Sequence, residues 1–223
     1  MNPQGKDKID WTDFTWNPIS GCLHNCYYCY LKRMRFFDMT PAFHPTRLTE
    51  PAKEKKPSLI FTGSSADMFG DWVESWWIDE VLSAVMSCKQ HTFQFLTKNP
   101  KRYSYVYNQD CFKNLWFGTT DDGRMETGLN ISRLKESVTI PKRFVSFEPL
   151  LAEVYPDLTD IQWVIIGADS NRGAKEPPIG WADKIIYEAR KAESAVFIKD
   201  NYNYPEIIKE FPIGMDCKTN LRL

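Results

Sequence analysis

Short apolar runs recur along the chain from residue 58 onwards, and stretches with helical spacing lie between several of them. Strands that are buried on both faces lack polar alternation, and the helices between them carry the chain from one parallel strand to the next. The apolar runs cover residues 58–62, 92–97, 114–118, 143–147, 162–166 and 195–199. Helical spacing covers 72–88, 124–136 and 181–193, with a shorter tyrosine-rich helix candidate at about 101–108. The pattern predicts an α/β fold with a mostly parallel sheet covered by helices.

The first sixty residues have a less regular pattern. Residues 9–20 alternate large apolar and small polar side chains, which predicts a first strand. Residues 30–37 have apolar groups at helical spacing, so we expect a helix that ends before Pro41, and four prolines at 40–57 predict irregular structure. With the first strand there are about seven strand candidates, which indicates an incomplete TIM barrel of the (βα)6 type, formed by a single domain over residues 1–223.

The overall charge gives no general attraction to nucleic acid or to an anionic membrane, because 28 lysines and arginines face 29 acidic residues. No apolar run approaches the roughly 18 residues of a membrane span, and the polar first residues lack the apolar core of a signal peptide. We therefore expect a cytoplasmic protein with no membrane association. In such a reducing compartment, six cysteines indicate metal ligands or free thiols rather than disulfides.

Three of the cysteines lie close together in one loop. Cys22, Cys26 and Cys29 are separated by three and then two residues, so a single turn of chain can direct all three thiolates toward one point. Structural zinc usually has four protein ligands, and the fourth is open here, with His24 as a candidate. A four-iron cluster held by three thiolates would instead leave one iron free for another molecule. The remaining cysteines are scattered and are predicted to be single buried or half-buried side chains; they are Cys88, Cys111 and Cys217.

Polar residues follow most of the predicted strands. In parallel βα folds the carboxyl ends of the strands share one edge, where the loops carry function. These residues are Gly63 to Asp67, Thr97 and Lys98, Thr119 to Asp122, Ser146 and Glu148, Gly167 to Asp169, and Lys199 and Asp200. We expect them to surround one mouth together with the cysteine loop. The alternative for the charged ones is an internal ring of salt bridges that closes the barrel end.

The cysteine spacing, with Tyr28 just before the last cysteine and a strand before the loop, resembles the radical S-adenosylmethionine (SAM) superfamily. Within it, residues 11–22, 144–151 and 163–167 look like signatures of the three-Cys-motif proteins of phages and bacteria. A weaker likeness, in the run Cys-Tyr-Tyr-Cys-Tyr-Leu and at Thr97-Lys98, is to spore photoproduct lyase and its relatives.

The resemblance implies an enzyme that uses a [4Fe-4S] cluster and S-adenosylmethionine. The cluster would be held by Cys22, Cys26 and Cys29, and its free iron would bind the amino and carboxylate groups of SAM. Reductive cleavage of SAM would give a 5′-deoxyadenosyl radical that abstracts hydrogen from a substrate, for which a nucleotide or nucleic acid is our hypothesis. A flavodoxin- or ferredoxin-like electron donor is implied as a partner. The alternative is a non-catalytic, zinc-binding phage protein that acts through a protein partner.

The resemblance also implies roles for residues at the strand ends. The backbone at Tyr28 is expected near the adenine, and the turn at Gly63 takes the place of the superfamily's Gly-Gly-Glu motif. Serines stand where a glutamate is usual, so Ser64, Ser65 and Asp67 share the prediction of holding the methionine amino group. Lys98 is predicted to bind the methionine carboxylate. The candidates for hydrogen bonds to the ribose or the amino group are Thr119, Thr120, Ser146 and Glu148. Residues 167–169 and 199–201 depart from the pattern of the subgroup, and no role is assigned to His24, Asp169 or Lys199.

Overall fold

Across residues 1–5, 8–106, 113–139 and 142–215, which the computed structural model describes, eight strands form one sheet. The strands in chain order are β1 (Asn2–Pro3), β2 (Phe14–Trp16), β3 (Ile19–Ser20), β4 (Ala42–Phe43), β5 (Leu59–Thr62), β6 (Thr92–Thr97), β7 (Leu115–Thr120), β8 (Arg143–Phe147), β9 (Trp163–Ile166) and β10 (Ala195–Ile198). The α-helices are α1 (Glu50–Lys53), α2 (Ser75–Met86), α3 (Asn130–Ser137) and α4 (Ile179–Lys191).

The order of the main sheet is β1-β2-β5-β6-β7-β8-β9-β10. All neighbours from β2 to β10 pair in parallel, whereas β1 pairs antiparallel with β2. Because the parallel strands follow one another in chain order, each connection moves the chain by one strand, as in a TIM barrel. Strands β3 and β4 form a separate antiparallel pair.

The two faces of the sheet have separate hydrophobic cores, because alternate residues of a strand point to opposite sides. The outer core joins the strands to buried faces of three helices, represented by Ile78 of α2, Leu134 of α3 and Ile185 of α4. The inner core contains aromatic residues such as Phe61 and Trp163. The strands are therefore buried on both sides, which is why they read as continuous apolar runs in the sequence.

The side chain of Trp11 shows that the sheet is curved. Its ring centroid lies 4.7 Å from Phe61 of β5, 6.3 Å from Phe144 of β8 and 6.0 Å from Trp163 of β9. One indole thus contacts strands from both halves of the sheet, so the inner face is concave. Strands β2 and β10 do not pair with each other, and the molecule is an α/β fold with a partial TIM barrel.

Both edges of this open sheet carry short antiparallel segments. On one side β1 pairs with β2. On the other, the Ile198 amide donates to the Ile208 carbonyl (2.8 Å), and the Glu210 amide donates to the Val196 carbonyl (2.9 Å). Separately, none of the described helices is long and apolar enough to cross a membrane.

The predicted strands from residue 58 onwards are confirmed to within two residues, and the two long helices to within three. The predicted helix at 30–37 is wrong, because the chain forms a 3-10 turn at Tyr30–Arg33. Of that turn's four residues only Leu31 is buried, and a short helix without a packed face has little to stabilise it. The helix predicted at 124–136 begins only at Asn130, after a turn that binds Asp122.

The other differences concern short elements. Residues 9–20 form two strands, β2 and β3, with Pro18 between them, because proline cannot donate to a ladder. The region 40–57 is less irregular than predicted and contains β4 and α1. The tyrosine-rich candidate is a 3-10 helix, Pro100–Tyr105, while residues 107 and 108 lie outside the described residues, as do Cys111 and Cys217. Cys88 is buried, as predicted.

Candidate functional site

A cavity of about 850 Å³ opens at the carboxyl ends of the parallel strands. Its lower wall consists of inward-facing strand residues such as Phe61, Leu96 and Thr120. Its rim consists of residues that follow the strands, among them Lys98 and Glu148. The cavity is therefore at the edge where a βα fold carries its site.

The three clustered cysteines all line this cavity and are half-buried. Gly21 starts their loop with a φ of +83°, and a Cβ at this position would lie 2.2 Å from the Thr40 carbonyl oxygen, so the turn requires glycine. Its amide donates to the Ser65 carbonyl at 3.0 Å, which joins the loop to the end of β5. Among the described residues no three His, Cys, Asp or Glu side chains are close enough together to hold a metal ion. The thiols thus share one cavity without forming a closed metal site.

Burial raises the pKa of the Cys22 thiol to about 11, and the nearby charges of Asp67 and Cys26 add to the effect. A thiolate at this position needs a positive charge beside it, because it is partly buried from water and the charges around it are negative. A metal ion or an iron-sulfur cluster would supply that charge.

Asp67 attaches the cysteine loop to the strand ends. Its carboxylate accepts hydrogen bonds from His24 Nε2 (2.6 Å), Thr97 Oγ1 (2.6 Å), the Lys98 amide (2.9 Å) and the Phe69 amide (3.0 Å). Burial alone would raise the pKa of Asp67, but the hydrogen bond and charge of His24, with the other donors, hold it below its usual value. The carboxylate therefore stays ionised and fixes His24 between two of the cysteines.

Tyr28 forms a second attachment. Its hydroxyl donates to Asp122 Oδ2 at 2.6 Å, and its carbonyl accepts from Asn171 Nδ2 at 2.7 Å. Burial alone would raise the pKa of Asp122, but hydrogen bonds from Arg124, Tyr28 and Thr127 lower it to about 2. The cations of Lys98 and Arg124 lie over the Tyr28 ring at 5.6 and 5.4 Å from its centroid. Tyr28, within the cysteine motif, is therefore held by hydrogen bonds at its hydroxyl and its backbone carbonyl and by cations over its ring.

On the opposite side of the cavity, Glu148 after β8 forms an ion pair with Lys199 after β10. Gly167, which follows β9, lies between them. A Cβ at Gly167 would lie 3.0 Å from Glu148 Cδ and 3.1 Å from Lys199 Cδ, so the pair spans the glycine closely. Asp169, further along the same loop, accepts a hydrogen bond from the Asn171 amide at 2.9 Å.

Most of the residues singled out in the sequence come together here. Those that line the cavity are Cys22, Cys26, Cys29, His24, Tyr28, Gly63, Ser64, Ala66, Asp67, Thr97, Lys98, Thr120, Ser146, Glu148, Ala168, Asp169, Lys199 and Asp200. The sequence also predicts Asp121, Asp122 and Gly167 at the mouth, but these three do not line the cavity. Thr119 does not line it, because it faces the outer side of β7 and donates to the Thr97 carbonyl at 2.8 Å. Ser65 does not line it either, and its amide donates to Asn17 Oδ1 at 3.0 Å.

Two of these placements bear on ligand binding. The Lys98 ammonium lines the cavity and forms no ion pair or hydrogen bond with any residue in the described part of the chain, so it is available for an anion. His24 was the candidate for a fourth zinc ligand, but its Nε2 is occupied by Asp67, and its ring packs on Trp72 with the centroids 4.8 Å apart.

Several residues that hold Tyr28 or line the cavity have no specific role predicted from the sequence. Asp122, Arg124 and Asn171 hold Tyr28 from distant loops, and Asp10 and Trp11 reach the cavity from the segment before β2. The only signal for Asp122 was its position after β7. Nothing in the sequence pattern places the other four residues beside the cysteine loop.

Both the sequence and the fold of this chain have counterparts among known proteins. A family model described as "Protein of unknown function (DUF5131)" matches residues 6–210. No curated protein matches the sequence. The partial barrel is similar to a solved structure of spore photoproduct lyase, a cysteine-to-alanine mutant with a dinucleoside spore photoproduct, at 10% identity and a TM-score of 0.51. The similarity covers 78% of this chain and 59% of that one, so this chain spans about three fifths of the lyase. At this identity the match supports the fold.

Proposed function

The chain belongs to the DUF5131 family, whose description assigns no function, and we propose that it is a radical S-adenosylmethionine enzyme. The observation that carries the proposal is the position of three thiols, Cys22, Cys26 and Cys29, on one cavity at the strand-end mouth of a partial barrel. The fold similarity to spore photoproduct lyase supports the same function. We also propose the cytoplasm as its location, since the site requires reduced thiols.

The residues fit a [4Fe-4S] cluster in their chemistry. Thiolates are the usual ligands of such clusters, and the high pKa of the Cys22 thiol is consistent with a site that awaits a positive charge. A four-iron cluster is larger than a single ion and binds each thiolate on a different iron, so the lack of a single-ion group among the described residues does not count against it. The hydrogen bonds of His24 to Asp67 and of Tyr28 to Asp122 hold the cysteine motif against the strand ends at two positions within the motif.

When bound and reduced, the cluster would supply one electron to the sulfonium of SAM, whose bond to the 5′ carbon would break to give methionine and a 5′-deoxyadenosyl radical that can remove a hydrogen atom from a substrate. The protein's part is to bind, orient and exclude water. We assign Lys98 to the methionine carboxylate, because its ammonium lies in the cavity without an acidic partner. Ser64, Thr120 and Ser146 present hydroxyl groups to the same space for the ribose or the amino group, whereas Thr119 and Ser65 are turned away.

For the substrate we propose a nucleotide. The solved structure of similar fold contains a dinucleoside spore photoproduct, and the cavity, at about 850 Å³, is near the upper end of the usual range for ligand sites. The pair of Glu148 and Lys199 offers both a hydrogen-bond acceptor and donors to polar groups of such a molecule. The electron donor is proposed to be a flavodoxin- or ferredoxin-like protein.

The test is anaerobic reconstitution followed by measurement of iron, sulfide and SAM cleavage under dithionite. We expect about four irons per chain and formation of 5′-deoxyadenosine. Cys26→Ala should reduce both to background, because two thiolates cannot hold the cluster in an open-iron form. Cys88→Ala, at a buried cysteine away from the cavity, is the matched control and should retain both. About one zinc per chain with no iron or sulfide would instead favour a structural zinc protein.

A further inference from the structure

An exposed aromatic surface continues outward from the cavity along the cysteine segment. Tyr27 is 66% exposed, Tyr30 is 53% exposed and Phe36 is 89% exposed, and Met34 lies between the last two. Large apolar side chains at this exposure are common singly, but four of them within ten residues of sequence are a concentration that needs an explanation. We call residues 27–36 the rim segment.

Basic side chains alternate with these rings. Lys32, Arg33 and Arg35 are all exposed, and the one acidic residue close by in sequence, Asp38, is engaged with the Thr40 amide. Neither Arg33 nor Arg35 forms an ion pair or hydrogen bond with a residue that the structure describes, and the Arg35 guanidinium lies 5.3 Å from the centroid of the Phe36 ring. The rim segment is thus locally basic on a chain whose net charge is −1.

We propose that the rim segment binds single-stranded nucleic acid. Exposed rings that alternate with cations are the features by which proteins hold single strands, since bases stack on the rings and the cations pair with phosphates. The inference rests on the nucleotide substrate proposed above and extends it from a single nucleotide to a strand. The Arg124 guanidinium lies over both Tyr27 and Tyr28, at 5.7 and 5.4 Å, but it is paired with Asp122, so it orients the two rings and is not counted among the cations that would bind phosphate.

The position of the segment connects the strand to the cavity. Tyr27 faces solvent, while its neighbour Tyr28 lines the cavity, and the two rings contact each other edge to face with centroids 5.3 Å apart. Tyr30, which also lines the cavity, donates to the Ser64 carbonyl at 2.8 Å. A strand that lies along the rim therefore presents one nucleotide at the mouth. Enzymes that act on a base reach it in a single strand or by removing it from the stack.

The charge of the whole chain limits the mode of binding. A net charge of −1 gives the chain little overall attraction to a long duplex. Three cations predict weak binding over a short stretch of strand. The slope of log affinity against log salt concentration should be about −2, because each neutralised phosphate of a single strand contributes about −0.7. An acidic electron-transfer protein is another molecule that a small basic surface attracts, but such a protein offers no bases to the exposed rings.

The experiment measures fluorescence anisotropy of a labelled oligothymidylate of about eight nucleotides with the full-length chain as purified, at several salt concentrations. We expect binding at about 50 mM salt with a slope near −2. The triple variant with Lys32, Arg33 and Arg35 changed to glutamine should abolish the salt slope. Phe36→Ala should weaken binding about tenfold at unchanged slope, because a stacked ring is lost without a charge.

The control variants make the same kinds of substitution outside the rim segment. Glutamine at Lys53, Lys55 and Lys56 removes the same charge from exposed lysines outside the rim segment, and Ile213→Ala removes another fully exposed apolar group. Both should leave the affinity within about twofold. The proposal is overturned if the wild type does not bind, if the control triple variant loses as much affinity as the rim variant, or if the rim variant binds the oligonucleotide as tightly as the wild type. SAM cleavage without substrate is unaffected by these outcomes, so a failure here is distinct from a failure of the proposed function.

Discussion

The two sides of the cavity are held together in different ways. On the cysteine side, the carboxylates of Asp67 and Asp122 have side chains that are 7% and 0% exposed, and each accepts several hydrogen bonds from the loop and the strand ends. On the other side, Glu148 and Lys199 pair only with each other among the hydrogen bonds and ion pairs of the described residues, and they are 22% and 12% exposed. The first side is fixed by folding. The second is held by a single ion pair, which a bound molecule could replace with contacts of its own.

The largest loss of stability is expected for a change at Asp67, because the hydrogen bonds on the cysteine side of the cavity predict a structural role for this residue. In the wild type, hydrogen-bond donors face both carboxylate oxygens of Asp67. Asp67→Asn replaces one of these oxygens with an amide nitrogen, which is itself a donor, and it removes the charge beside His24. We expect the free energy of unfolding to fall by about 2–3 kcal/mol. Urea denaturation of the purified chain measures it.

The control for this change is Asp71→Asn, at an exposed carboxylate that accepts one hydrogen bond from Asn99 Nδ2 at 2.7 Å. It should change the free energy of unfolding by less than about 0.5 kcal/mol. If Asp67→Asn lowers the free energy of unfolding no more than Asp71→Asn does, the hydrogen bonds of Asp67 do not hold the cysteine side in place as the structure implies.

A smaller effect is expected at Glu148, on the exchangeable side. Glu148→Gln should lower the free energy of unfolding by less than about 1 kcal/mol, because both partners reach water and the glutamine can still accept from Lys199. Production of 5′-deoxyadenosine without substrate should remain as in the wild type. A loss of more than about 3 kcal/mol would mean that the pair is a closed structural plug, the alternative that the sequence left open.

The smallest effect is expected at a surface pair away from the cavity. Lys135 contacts Asp157 at 2.8 Å, and its hydrogen bond, with that of Thr159, lowers the pKa of Asp157 to about 2. Because the folded pKa is depressed, the stability from this pair is present above about pH 4 and is lost as the pH falls toward 2. The Asp157 side chain is 76% exposed, so screening leaves only a few tenths of a kcal/mol. Lys135→Met should flatten the stability profile over that pH range by this amount, and a larger change would show that exposure is a poor guide to the strength of these pairs.

The regular part of the fold could be predicted because the parallel strands are buried on both faces. Runs such as Trp163–Ile166 are apolar throughout, and burial alone determines that pattern. The helix predicted at residues 30–37 is wrong for a related reason. Its apolar residues have the spacing of a helix, but Met34 and Phe36 are exposed rather than packed. Spacing indicates which face a helix would bury, and not whether another element is there to cover it.

The site was predictable in part. Residues that follow strands gather at one edge because the topology requires it, and this placed Lys98, Glu148 and the cysteines together. Thr119 and Thr120 show the limit of that reasoning, since adjacent strand residues face opposite sides and only Thr120 lines the cavity. The contact of Tyr28 with Asn171 joins positions 143 residues apart, and no local pattern encodes it.

The covered edges of the open sheet have a consequence for how the protein behaves in solution. An uncovered strand edge offers unpaired backbone groups to other chains and is a route to aggregation. A closed barrel has no such edge, but a barrel that opens to admit a large substrate does. Here β1, with its proline, lies along β2, and the antiparallel segment that ends at Glu210 lies along β10. These two short segments replace ring closure, and they allow the protein to keep a wide mouth without exposing its strands to other copies of itself.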